Sequence, residues 1–93
     1  MILYHASSRD SPVGESLKTP TGRADGDITR GGAVYLVDDI SLCERYGDVY
    51  EIEVKDAISY KNALASIGRK KKPRYTSGVF VCIPTDTKIL RKI

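Results

Sequence analysis

Apolar and polar positions along this chain fall into short blocks, and the period of each block predicts its element. Residues 2–5 open with a short apolar strand. Residues 6–32 are poor in apolar side chains and rich in Ser, Gly, Asp, Thr and Pro, and a loop of that length in a small domain is functional or disordered. Residues 33–37, Ala-Val-Tyr-Leu-Val behind Gly31-Gly32, predict a second strand. Asp38 or Asp39 can cap a helix over residues 40–46. Ser41 and Glu44 have capping-box spacing there, and Gly47 is placed to end it.

Residues 49–54 read Val, Tyr, Glu, Ile, Glu, Val, an imperfect period of two that suits a half-buried strand. Ser59 is placed to cap a second helix that Gly68 ends. Within it Tyr60, Ala63, Leu64 and Ile67 follow i, i+3, i+4, i+7 and share one face. Residues 79–83 predict a strand, Pro84-Thr85-Asp86 a turn, and residues 87–90 a returning strand, together a hairpin. The order β, long loop, β, α, β, α, β, β is that of an α+β domain with a mostly antiparallel or split sheet. The helices are too few and too short for parallel crossovers.

Composition narrows this picture. At 93 residues, with 41% hydrophobic and 29% charged positions, the chain suits one domain over 1–93 with one modest core. No apolar run approaches the roughly 20 residues of a membrane span, and the apolar start ends at His5, so neither a span nor a signal peptide is expected. Cys43 and Cys82 have neither metal-ligand spacing nor disulfide density. The expectation is a reducing cytoplasm, with neither thiol a nucleophile.

Charge is unevenly divided. Residues 1–60 carry six Lys/Arg against eleven Asp/Glu, and residues 61–93 carry nine against Asp86 alone. The densest cluster is Arg69-Lys70-Lys71-Lys72-Pro73-Arg74. Such a segment can dock a macromolecular acceptor, either nucleic acid or an acidic protein, or it can simply be a solvated loop.

His5 is the only histidine and closes the first strand beside Ala6, Ser7 and Ser8. By itself a strand-end His is ordinarily a surface hydrogen-bonding residue. No second His or usable Cys stands near it, so no metal is implied, and no nucleophile elbow accompanies it.

Order and spacing add to this reading. Leu3-Tyr4-His5-Ala6-Ser7 is followed by Gly32-Ala33-Val34-Tyr35-Leu36-Val37-Asp38, then Glu44-Arg45-Tyr46-Gly47, then Val49-Tyr50-Glu51-Ile52-Glu53-Val54. Gly78-Val79-Phe80-Val81-Cys82-Ile83-Pro84 and Thr87-Lys88-Ile89 close the series. This series resembles the ADP-ribosyltransferase superfamily, with the flavour of the rifamycin ADP-ribosyltransferases, the poly(ADP-ribose) polymerase core and the RNA 2′-phosphotransferases. The resemblance implies a small split antiparallel sheet with two short helices and NAD bound in the cleft between its halves. It implies transfer of ADP-ribose to a macromolecule with loss of nicotinamide. The small size suggests a stripped-down form of the kind found in phage or mobile-element effectors.

Residue by residue, the resemblance gives His5 the ribose of NAD, with Ala6 and Ser7 where the dinucleotide approaches the backbone. Tyr35 and Tyr46 become the two rings around nicotinamide, by stacking and cation–π attraction. His5 and Tyr35 are the catalytic pair it implies. The loop 8–32 would lie over the site, and Arg69, Lys70, Lys71, Lys72 and Arg74 would dock the acceptor. Two departures are evident: Ala6 stands for the usual Gly, and the penultimate strand opens Thr76-Ser77-Gly78 without the family's usual Glu. The carboxylates left to replace that Glu are Glu51, Glu53, Asp56 and Asp38. The missing acid equally suits a binding module that grips nucleic acid or an acidic protein without turnover. Arg74 ahead of the strand suits an enzyme akin to the RNA 2′-phosphotransferases, which use Arg there.

Overall fold

The computed structural model describes residues 1–7, 11–18, 32–66 and 78–93. Six strands form one sheet: β1 (Ile2–Ser7), β2 (Val34–Val37), β3 (Asp48–Val54), β4 (Ile58–Ser59), β5 (Val79–Cys82) and β6 (Thr87–Lys92). Their order is β4-β5-β2-β1-β3-β6, and every pairing is antiparallel. The expected α+β class with an antiparallel sheet therefore holds.

Alternation along each strand divides the side chains between two faces. Leu3, Val34, Leu36, Tyr50, Ile52, Val54, Cys82 and Ile89 share one buried cluster, joined by Leu17 from the long loop. This face draws on both halves of the sheet, β4-β5-β2 and β1-β3-β6. The α-helix does not cover it: α1 (Tyr60–Ser66) sets Tyr60 and Ala63 against Val81 on the opposite face. A bend that lets the two halves cover each other accounts for the 0% exposure of Ile52.

Chain length requires the same bend. Laid flat, the four strand spacings between β5 and β6 would separate them by about 19 Å. The five residue steps from Cys82 to Thr87 reach about 17 Å at most. The 3-10 turn Pro84–Asp86 therefore carries the chain from one half to the other, with Pro84 at its first position. The hairpin expected over residues 79–90 does not form. β5 pairs with β2 and β4, while β6 pairs with β3 at the far edge. A Pro-led turn between two apolar strands serves a crossover as well as a hairpin.

The first of the two expected helices is also corrected. Residues 40–46 form two successive 3-10 turns, Ile40–Leu42 and Glu44–Tyr46. The tighter turn brings Ile40 and Cys43 together against Val37 and Val49, with the Cys43 amide bonded to the Ile40 carbonyl at 3.0 Å. Asp39 is the cap: its Oδ1 accepts from the Ser41 amide at 3.0 Å and from the Ser41 hydroxyl at 2.9 Å. Ser41 is thus a donor to the cap, and no capping box forms with Glu44. The second helix keeps its expected cap, with Ser59 Oγ accepting from the Asn62 amide at 3.2 Å. Tyr60 and Ala63 are buried as expected. Ile67, the Gly68 terminus and the basic segment 69–74 lie outside the described residues, as do the side chain of Leu64 and residues 8–10 and 19–31.

Residues 11–18 run beside β6, the edge strand. The Gly14 amide bonds the Ile89 carbonyl, and the Ile89 amide bonds the Glu15 carbonyl, both at 2.8 Å. Leu17 then enters the core. The described part of the long loop therefore seals a sheet edge.

Candidate functional site

β1 and β2 join the two halves of the sheet through a single register pair, Tyr4↔Val37. Beyond it, residues 5–7 of β1 pair only with β3, and residues 34–36 of β2 pair only with β5. The sheet splits there. His5 bridges the split: its Nδ1 lies 2.7 Å from the Tyr35 carbonyl oxygen. A carbonyl only accepts, so Nδ1 carries the proton and donates. The neutral ring then holds its lone pair on Nε2, which can accept from a ligand hydroxyl.

Burial pushes the His5 pKa below its ordinary 6.5, and the bond to Tyr35 only partly opposes this. The unfolded chain then binds the proton more readily than the folded one. Stability from this group is full above about pH 6.5 and is lost as pH falls through the folded value. Thermal melts should show a lower Tm at pH 5.5 than at pH 7.5, with a smaller difference in His5→Gln. Equal differences in the two proteins would remove His5 as the cause.

Register places the other candidate residues. His5 pairs with Tyr50 and stands on the face that holds Leu3 and Ile52. Tyr35 projects to the opposite face, where its ring meets Tyr60 edge-on with centroids 5.4 Å apart. The structure thus joins His5 to the Tyr35 backbone, while the two side chains leave on opposite sides. Ala6 and Ser7 are half-buried, and Ala6 shares the Tyr35 side of the sheet beside Val37 and Cys43.

Tyr46 ends the second 3-10 turn, which lies against β1, and its ring is 61% exposed. The Arg45 guanidinium sits 4.9 Å above it and donates to the Tyr46 hydroxyl at 2.8 Å. One face of this ring already holds a cation, as a cation–π site would.

The candidate carboxylates separate clearly. Glu51 is bonded by Arg91 at 3.1 Å. Glu53 and Asp56 are exposed, on and just after β3. Asp38 lies at the mouth of β5: its amide bonds the Gly78 carbonyl at 3.0 Å, and its carboxylate rests where a Gly78 side chain would start. This contact joins residues 40 apart, and no sequence spacing signals it.

The two thiols are buried and remain protonated at neutral pH. Burial raises Cys43, and burial pushes Cys82 up to about 11. Among the described residues no helix is long and apolar enough to cross a membrane. Compared with protein-family models, curated proteins and solved structures, the chain matches none.

Proposed function

We propose that this chain binds NAD at the split between β1 and β2 and transfers ADP-ribose to a macromolecule, releasing nicotinamide. The observation that carries the reading is the His5 bond across the split. It fixes the imidazole as an acceptor at the split between β1 and β2. A ribose hydroxyl is the kind of donor that Nε2 can take. Ala6, the small residue that stands for the family's Gly, follows it on β1, and Ser7 adds a hydroxyl at the strand end. In this reading Tyr35 and Tyr46 supply rings for the flat, cationic nicotinamide, with the Tyr35 ring reached through the split from the face opposite His5. Arg69, Lys70, Lys71, Lys72 and Arg74 dock the acceptor through their charge.

Incubation with NAD, read by mass spectrometry for free nicotinamide and for modified protein, tests the activity. Binding is tested separately. NAD at millimolar concentration should raise the Tm, because a ligand of the native state adds stability by mass action. Tyr46→Ala should weaken NAD binding about fivefold, the scale of one lost aromatic contact. It should leave the Tm of the free protein unchanged, since the ring is exposed. Unchanged affinity in this variant would remove Tyr46 from the site.

A further inference from the structure

We propose that Arg45 is a specificity residue of this site: it holds the Tyr46 ring, fills one of its faces with a cation, and thereby narrows the preference for oxidised over reduced dinucleotide. The proposal rests on the NAD reading above and deepens it with a residue that the resemblance leaves without a role.

Tyr46 is exposed, but its backbone is set from both sides. Its amide bonds the carbonyl of buried Cys43 at 2.9 Å. Gly47 follows at φ +143°, and the chain passes straight into β3, where Asp48 pairs with Ser7. The Tyr46 backbone therefore stands beside the end of β1, the strand that carries His5. The side chain is held by Arg45. The guanidinium carbon lies 4.9 Å from the ring centre, and a terminal nitrogen donates to the hydroxyl at 2.8 Å. Two contacts at different points of the ring fix its tilt, where an exposed Tyr alone changes rotamer within nanoseconds. The guanidinium covers one face only, and at 61% exposure the ring keeps the other face open to a flat ligand.

A cation on one face acts on whatever stacks on the other. Added to the 4.9 Å on the near side, a nicotinamide stacked about 3.5–4 Å beyond the ring stands about 8–9 Å from the guanidinium. Between unit charges at that distance, even water-like screening leaves a repulsion that changes an equilibrium about twofold, and weaker screening at a protein surface raises this. Oxidised NAD carries a cationic nicotinamide and feels the repulsion. NADH carries a neutral dihydronicotinamide and does not. Attraction of Arg45 for the dinucleotide phosphates is common to both forms and cancels in their ratio. Glu44, beside Arg45 on the same turn, is unchanged in every variant compared and cancels as well.

The test measures NAD and NADH affinities by calorimetry in wild type, Arg45→Gln, Arg45→Lys, and Tyr46→Ala with and without Arg45→Gln. Arg45→Gln should shift the NAD-to-NADH affinity ratio about two- to threefold toward NAD. Arg45→Lys keeps the charge and should keep the wild-type ratio. In the Tyr46→Ala protein, Arg45→Gln should leave the ratio unchanged, because the ring that joins the two charges is gone. A residue that only supports the turn would change both affinities together and leave the ratio alone. Equal ratios in wild type and Arg45→Gln overturn the proposal, as does the same shift in Arg45→Lys or in the Tyr46→Ala background. Wild type that binds neither dinucleotide overturns the NAD reading itself, and the proposal with it.

Discussion

Ile52→Ala is expected to remove about 4 kcal/mol from the unfolding free energy, within the range for a fully buried aliphatic side chain cut to Ala. Ile52 pairs with Leu3 on one side and Ile89 on the other, at the centre of the core that both halves of the sheet share. A domain of this size has about 5–15 kcal/mol in total, so the loss is a large fraction. Urea titration followed by circular dichroism should show a lower midpoint at an unchanged slope. Ile2→Ala is the control, because Ile2 is exposed and lies on the opposite face of the sheet. A loss below about 1 kcal/mol at Ile52, less than one well-packed methylene pair contributes, would mean that the halves do not close over this face.

Thr87→Val is expected to cost about 1–3 kcal/mol although the two side chains have nearly the same shape. Thr87 is 4% exposed. Its hydroxyl accepts from the Leu17 amide at 2.8 Å and donates to the Pro84 carbonyl at 2.6 Å. Valine would leave the buried Leu17 amide without a partner, at a cost of about 1–3 kcal/mol, while the Pro84 carbonyl keeps its bond from the residue-87 amide. The same hydroxyl ties residues 11–18 to the turn between β5 and β6. Limited trypsin digestion should therefore cut at Lys18 faster in Thr87→Val than in wild type. Thr87→Ser keeps both bonds and should lose little. If Val and Ser variants are equally stable and equally resistant, the hydroxyl does not hold the segment.

These two effects lie in contacts between distant parts of the chain, and the sequence shows one partner of each at most. Leu17 is a single apolar residue in a polar stretch, and periodicity gives an isolated Leu no side to face. Its burial follows from the edge of β6, whose Ile89 amide and carbonyl capture residues 14 and 15. The expected β5–β6 hairpin fails for a related reason. Turn chemistry and apolar runs are the same for a hairpin and for a crossing between two halves, and only strand partners separate them.

The candidate site divides the same way. His5, Tyr35 and Tyr46 were legible as residue types in an ordered series, because each belongs to a short local element. The bond that gives His5 its tautomer reaches a carbonyl 30 residues away. The Asp38 carboxylate reaches a glycine 40 residues away.

The sequence by itself determined five of the six strands, since alternation and short β-branched runs need only neighbouring residues; the two-residue β4 carries no such run. It also determined the Ser59 cap and the inward face of Tyr60 and Ala63, which are set within one helical turn. Tertiary structure alone decided the order β4-β5-β2-β1-β3-β6, the bend that closes the core, and the split where His5 stands. It also decided that residues 40–46 wind as 3-10 turns, because Ile40 and Cys43 had to meet Val37 and Val49 together. Strand partners and layer contacts are chosen by the apolar area they remove from water across the whole chain. Local pattern names which side of each strand is apolar, and the folded chain decides what covers it.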